Sequence, residues 1–356
     1  MASVDLGIVN GKRQRKSYYG KTRKEAAIKL QTALAAKSTG TLILKSQTME
    51  SWLNYWLDVI CVERGLKVNT MKSHRSKVRT YLIPHLGHIR VDKLGPEDIR
   101  TMYAAMRKDG KSEATISQTH AILRRALEVA VRERKATYNA AALMDRPAQP
   151  KNPREGLALA DARKVLALAG DDPRPYLALF LGMRQGECLA LSWADIDFDT
   201  GTLHVERSLA VKPGGGFVFE TPKTRLSQAP LPLPTVVSSR LAVRYAQHLA
   251  EGGDPYGLVF HNGAGEPIHP RKDWANWRAL LSAAGVEHHA LHAARNTTAT
   301  LLRSAGVNAQ DQRAIMRHAT LTMTEHYQAD DIDRKREAVA ALEATLGVAL
   351  HDVAYA

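Results

Sequence analysis

At 356 residues the chain exceeds one ordinary domain, and its length predicts two or three. Hydrophobic residues make up 44% and charged residues 24%, enough for a sizeable core, while a formal charge of +14 and a pI near 9.7 point to a polyanionic partner. Nucleic acid comes first and an acidic membrane surface second. No run of about 18 apolar residues occurs and the N-terminus has no signal-peptide core, so neither membrane insertion nor secretion is expected, and a cytoplasmic protein is. In that compartment Cys61 and Cys188 are expected to be reduced, packed thiols.

The first 50 residues hold ten Lys or Arg against Asp5, Glu25 and Glu50. Val4–Val9 and Gln14–Tyr19 flank Asn10-Gly11, a pair that tolerates positive φ, so a hairpin is expected. Thr22 followed by Glu25 is a capping-box pattern that starts a helix over Arg23–Ala36. Lys12, Arg13, Arg15 and Lys16 on this hairpin are candidate DNA contacts; the alternative is a solvated basic arm.

Residues 46–145 read as helical throughout. Trp52, Leu53, Trp56, Leu57 and Ile60 form an apolar stripe at helical spacing, which marks core. Thr70–Tyr81 carries Lys72, Arg75, Lys77 and Arg79, and Pro84 is expected to stop that helix. Gly95-Pro96-Glu97-Asp98 starts another helix, with acids at the positive end of its dipole. Ser112–Arg134 forms the last one and bears Arg124 and Arg125. Basic helix faces of this kind can grip a duplex through its phosphates, or simply be solvated.

Residues 146–154 contain three prolines and no apolar periodicity, the pattern of a linker. Beyond it, helices are expected at Ala160–Leu168 and Pro175–Leu181, β-like stretches at Thr202–Leu209 and Gly216–Glu220, and a short apolar segment at Ala229–Leu233. From Thr235 the chain is expected to be mostly helical, except around Leu258–His261. Arg334–Leu346 is amphipathic, with Val339, Leu342 and Leu346 at helical spacing. It either folds back on its own domain or docks on a neighbouring protomer.

The residues that carry chemistry lie in three places. Leu181-Gly182-Met183-Arg184-Gln185-Gly186-Glu187 puts Arg184 at a helix entry among small residues, with Glu187 one turn on to hold its guanidinium. Lys223 lies in Thr-Pro-Lys-Thr-Arg, between β-like segments. Leu291–Tyr327 then supplies His292 and Arg295 on one helical face, followed by His318 and Tyr327. Attack on a phosphodiester needs cations on the non-bridging oxygens as charge builds, which suits Arg184 and Arg295. A reversible step favours a phenol nucleophile, Tyr327, and an acid for the departing oxygen, Lys223. His292 and His318 can move or stabilise the remaining protons. No Gly-rich phosphate loop or carboxylate cluster is visible, so neither a nucleotide nor a metal cofactor is expected. His288 and His292 lie four apart but lack the Glu and the further ligand of a zinc site.

In this order, Arg184, Lys223, His292-x-x-Arg295, His318 and Tyr327 resemble the active site of the tyrosine recombinases, specifically the phage-type integrases. Gly-Met-Arg-Gln-Gly-Glu is similar to that family's first-arginine box, and His318 nine residues before Tyr327 matches its last one. The resemblance covers the whole chain. It implies a mainly α, multidomain fold with small β elements that closes on duplex DNA as a C-shaped clamp. Residues 1–45 would be an arm-type DNA-binding domain, 46–145 a helical, SAM-like core-binding domain, 146–154 the linker, and 155–356 a mixed α+β catalytic domain.

The resemblance further implies a 3′-phosphotyrosyl intermediate, a Holliday junction and a homotetramer on core and arm sites. A DNA-bending host factor and an excision factor are the further partners it suggests. Two residues depart from the pattern: Asn296 stands where the family usually has a second His, and Arg317 where it usually has Gly. Only two N-terminal strands are readable where the family commonly shows three. The competing readings are a type IB topoisomerase, which shares the chemistry, and a DNA-binding regulator without catalysis.

Overall fold

The structure, a computed structural model, describes residues 1–9, 12–38, 47–148, 156–221, 230–252, 254–317 and 332–347. It divides into two compact units, Met1–Lys151 and Asn152–Ala356.

In the first unit, β1 (Ala2–Val9) and β2 (Lys12–Tyr18) pair antiparallel with Ala2 opposite Tyr18 and a bulge between Asp5 and Gly7. The expected hairpin is therefore present, although its Asn10-Gly11 turn lies outside the described residues. α1 (Arg23–Ser38) packs on it, and Val4, Ala26 and Ala33 are buried. Thr22 Oγ1 accepts the Glu25 amide at 3.1 Å, but Glu25 reaches back to the Lys21 amide at 2.8 Å, one residue earlier than a standard capping box.

α2 (Met49–Tyr55) starts on a Thr48 cap and runs through a π turn (Trp56–Ile60) into α3 (Cys61–Glu63). α4 (Val68–Lys77) likewise passes through a π turn (Val78–Leu82) into α5 (Ile83–Leu86). Pro84 thus does not end the helix as expected. The Ile83 amide donates to the Val78 carbonyl five residues back, so the regular ladder is already broken there and a missing proline amide costs little more. α6 (Pro96–Lys108) and α7 (Glu113–Arg132) follow, with Asp98 accepting the Gly95 amide at 2.9 Å and Ser112 capping α7. Their apolar faces close over Trp52, Trp56, Leu82 and Leu86 in one core. Cys61 lies in that core and Cys188 in the core of the second unit. Both are free and buried, and burial pushes both thiols up to about 11.

The second unit is built around α9 (Pro173–Phe180), which follows α8 (Leu159–Ala169). Every residue of α9 is buried, which its nearly uniform apolar sequence allows. α10 (Gln185–Cys188) leads into a short antiparallel sheet of β3 (Ile196–Asp197), β4 (Thr202–Leu203) and β7 (Leu231–Pro232), in the order given. β5 (Ser208–Val211) and β6 (Phe217–Glu220) form a separate hairpin. The single stretch expected over Thr202–Leu209 is therefore two strands in two sheets. The apolar alternation that suggested one strand serves two cores, because Leu203 and Val205 enter the main core while Leu209 packs with Leu189 and Ala190.

α11 (Thr235–Ala250), α12 (Pro270–Ala283), α13 (Leu291–Ser304), α14 (Ala309–Met316) and α15 (Ile332–Leu346) complete the unit. Arg174 on α9 makes a buried two-pronged pair with Asp273 on α12, at 2.9 and 3.0 Å. Thr298 on α13 donates to the Leu179 carbonyl of α9 at 2.8 Å. α15 folds back on its own unit: Val339, Leu342 and Leu346 are buried in the main core, so in this chain the stripe is packed in cis. No helix among the described residues is long and apolar enough to cross a membrane.

Candidate active site

The site begins at the sharp exit from α9. Gly182 has φ +53°, a conformation that costs an L side chain about 1–2 kcal/mol, and it turns the chain so that Arg184 becomes the N-cap of α10. Glu187, at the third position of that helix, closes the cap. One of its oxygens accepts the Arg184 amide at 3.0 Å and the other accepts Arg184 Nη1 at 2.7 Å. Gln185 secures the same turn to α12, donating to the Pro270 carbonyl at 2.8 Å and to Asp273 at 3.0 Å. Glu187 is buried, while the Arg184 side chain keeps 40% of its surface open.

Gly186 explains how α10 can lie against the β5–β6 hairpin. A Cβ there would meet Ser208 Oγ at 2.6 Å and the Leu209 carbonyl at 2.9 Å. Ser208 can rotate away, but Leu209 is held in register with Phe219. Gly186→Ala is expected to push α10 off the hairpin, at a cost of about 1–3 kcal/mol from overpacking. Thermal unfolding measures it; an unchanged melting temperature rejects the close-approach argument.

α13 presents the second arginine. His292 is exposed on its first turn, and Arg295, one turn on, is 3% exposed. The Arg295 guanidinium donates to the carbonyls of Gly182 and Met316, so it ties the first-arginine turn to the end of α14. Burial, then the charges of Arg184 and Arg317, pull Arg295 down to about 9, with Glu187 opposing.

Arg317 completes the group. It caps α14 with φ 51° and ψ 49°, the left-handed conformation that suits glycine and strains arginine. Its side chain is fully buried and its Nη2 donates to Glu187 at 2.8 Å. Burial would raise Glu187, but the charge of Arg317 and then the amide and guanidinium of Arg184 hold it below its ordinary value. Three guanidiniums around one carboxylate leave two positive charges uncompensated among the described residues. Such a group calls for an anion, and half-open Arg184 is where one can enter. The sequence offered Arg317 only as a departure from a pattern. Its signal was a lone cation inside the otherwise apolar end of α14, after Ile315 and Met316.

Of the six residues singled out for catalysis, Arg184 and Arg295 are brought together, with Glu187 between the elements that carry them, and His292 stands one turn from Arg295. Lys223, His318 and Tyr327 lie outside the described residues, as does His326.

The basic residues of the first unit are spread over several surfaces. Arg15 is exposed on β2, and the backbones of Lys12, Arg13 and Lys16 lie on the same strand. Lys72 and Arg79 are exposed on the α4–α5 rod and Lys77 is half-buried, while Arg75 pairs with Asp58 at 3.1 Å. Arg124 and Arg125 on α7 flank Glu128, each at 3.6 Å.

His248, Asp254 and His261 place possible metal-ligand atoms within 4.8 Å of one another. Arg244 already donates to His261 Nε2 at 2.8 Å, and both Asp254 oxygens accept backbone amides, so the trio is engaged in shaping its own loop.

Comparison with known proteins agrees with this geometry. Residues 176–334 match the phage integrase family, and residues 53–134 match the phage integrase N-terminal SAM-like domain. A tyrosine recombinase XerC of Mesorhizobium japonicum is 30% identical over 306 residues, covering 79% of this chain and 91% of that protein. An integrase of Saccharopolyspora erythraea is 27% identical, over 95% of this chain and 92% of its own.

Among solved structures, the Tn1549 transposon integrase with transposon right end DNA superposes with a TM-score of 0.67 at 21% identity, covering 83% of this chain and all of that one. The lambda integrase tetramer on a Holliday junction gives 0.61 at 19%, covering 89% and 93%. These likenesses extend over both units of the fold. The chain belongs to the tyrosine recombinase family of phage-type integrases.

Proposed function

We propose that this site-specific recombinase integrates a phage or other integrative element into DNA, with excision as the reverse reaction. In the cleavage step the Tyr327 phenol oxygen attacks the phosphorus of one strand. The bond to the 5′ oxygen breaks, that oxygen takes a proton from Lys223, and a 3′-phosphotyrosine remains. Arg184 and Arg295 bear the charge that builds on the non-bridging oxygens, and His292 and His318 hold or move the proton leaving the phenol. A 5′ hydroxyl from the partner strand then attacks the phosphotyrosine and reverses the step. The bond energy is kept, so neither a nucleotide nor a metal is required.

The observation that carries this reading is the buried group of three arginines and one glutamate with its excess positive charge facing solvent through Arg184. Four protomers on two core sites, with arm sites bound by residues 1–45, belong to the same proposal. So do core contacts by Lys72, Arg75, Lys77, Arg79, Arg124 and Arg125 across residues 46–145. A DNA-bending host factor, an excision factor and a place on the bacterial nucleoid complete it.

The test uses duplexes enriched from a randomised pool by the protein itself, nicked near the bound centre so that the cleaved end diffuses away. A covalent protein–DNA adduct is expected, with peptide mapping placing the nucleotide on Tyr327. Adduct on another residue overturns the nucleophile; no adduct favours a regulator. Joined two-site products separate a recombinase from a topoisomerase.

A further inference from the structure

We propose that Arg317 is a positioning residue of the phosphate clamp: it holds Glu187 in place from behind, and through Glu187 it fixes the Arg184 guanidinium toward the DNA backbone. This inference deepens the recombinase reading and rests on it.

The geometry is a relay of three side chains. Arg317 Nη2 and the Arg184 amide share one Glu187 oxygen, at 2.8 and 3.0 Å, while the other oxygen receives Arg184 Nη1 at 2.7 Å. Glu187 is 4% exposed and Arg317 1% exposed, so neither is kept in place by solvent. Without Arg317, Glu187 would keep a single hydrogen-bonded cation among the described residues, the same Arg184 that has to turn toward a phosphate. With Arg317 in place, Arg184 can lean toward an anion while its carboxylate partner remains neutralised.

The remaining polar atoms of Arg317 point the same way. Its Nε and Nη1 are buried and make no hydrogen bond among the described residues, so the guanidinium is held there by one contact, the one to Glu187. The backbone at residue 317 is in the left-handed region, which favours glycine and strains arginine. A strained, buried and incompletely bonded arginine persists where the structure around it uses its charge.

Other groups around Glu187 do not supply that role. Among the described residues, the charged and titratable neighbours besides Arg317 are Arg184, Arg295, Cys188 and, beyond the thiol, the Arg174–Asp273 pair. Arg295 is committed to the Gly182 and Met316 carbonyls, and Arg174 is committed to Asp273. Arg317 is the side chain that reaches Glu187 from the far side.

Three variants separate charge from backbone. Arg317→Met keeps the reach and removes the charge, Arg317→Lys keeps the charge, and Arg317→Gly removes the charge while relieving the backbone. Three readouts are taken on the full-length protein: the rate of covalent adduct formation on the nicked duplexes, the affinity for those duplexes, and thermal stability between pH 3 and pH 8.

The sign on the pH axis is fixed. Glu187 lies below its ordinary value when folded, so its ionisation stabilises fully above the usual carboxylate range and is lost as the pH falls through the lowered value. Removing Arg317 raises the folded value, so the acid loss of stability in the Met and Gly variants should begin at higher pH than in the wild type. Burial lowers His74 and His120 toward this window, but both lie in the first unit and are common to wild type and all three variants, so the comparison is read as a difference from wild type. Adduct formation should fall about tenfold or more in both, with DNA affinity within about threefold, and the lysine variant should recover most of the rate.

Arg317→Gly is the decisive comparison. A purely local role predicts a more stable protein with wild-type cleavage and an unmoved acid limb, and that result overturns the proposal. If the methionine variant does not fold, the glycine and lysine variants decide the same question. If the wild-type protein forms no adduct, the recombinase reading fails, whereas an acid limb that does not move between wild type and Arg317→Gly refutes the Arg317–Glu187 link by itself.

Discussion

Arg295→Ala is expected to lose cleavage and a clear part of its stability, whereas Arg184→Ala should lose cleavage with a smaller change in stability. In the proposed mechanism each removes one of two cations from the charge that develops on the phosphate, and loss of a single preorganised donor typically costs about 10²–10³ in rate. The two differ in what else they hold. Arg295 is 3% exposed and its guanidinium satisfies the carbonyls of Gly182 and Met316. Truncating it orphans two buried acceptors at about 1–3 kcal/mol each. Relief of repulsion from Arg184 and Arg317 offsets part of that. A net loss of about 2 kcal/mol lowers the melting temperature by about 4–8 °C for a unit of this size.

Arg184 is partly open, and its Glu187 partner keeps Arg317 when Arg184 is removed, so the melting temperature of Arg184→Ala should fall by at most about 2–4 °C. Thermal unfolding together with adduct formation on nicked duplexes reads both effects. Equal melting temperatures for the two variants would contradict the structural role given to Arg295.

The contrast also shows which parts of the site were legible in the residues. Arg184 with Glu187 and His292 with Arg295 are near neighbours in sequence, and helix geometry alone places each pair on one face. Helix starts were equally readable, because Thr48, Ser112 and Asp98 act within a turn of where they stand. What could not be read is what depends on distant partners. Pro84 continues a helix where a π turn precedes it, and nothing in the local residues announces that turn. Thr202–Leu209 alternates like one strand, yet its apolar residues belong to two cores.

Arg317 is the sharpest case. The family resemblance marks it as a departure from the usual glycine, while its buried partner is Glu187, 130 positions earlier. The carbonyls that hold Arg295, at Gly182 and Met316, are silent in any sequence.

Deleting residues from Arg334 onward is expected to unfold the second unit rather than to yield a folded monomer that fails to assemble. The amphipathic stripe of α15 allowed either reading when taken alone. Its burial decides: Val339 is 2% exposed and Leu342 and Leu346 are fully buried. Each such side chain contributes about 1.5–3 kcal/mol on burial, so the three together rival the ~5–15 kcal/mol net stability of a typical domain. Polar ties are lost as well. Glu343 accepts the Val236 amide at the start of α11 at 2.8 Å, the Leu346 and Thr345 carbonyls accept Arg163 at 3.0 and 2.8 Å, and Lys335 reaches the Pro230 carbonyl at 3.2 Å.

The deleted protein should show no cooperative unfolding transition from the second unit, and the Leu342→Ala variant should be less stable by about 2–5 kcal/mol. Limited proteolysis followed by mass spectrometry checks the deletion, and chemical denaturation checks the point variant. A deletion protein that unfolds cooperatively like the full chain would mean that α15 does not complete the core in cis. Loss of the transition would instead show that the apolar stripe of α15 is used in building the second unit.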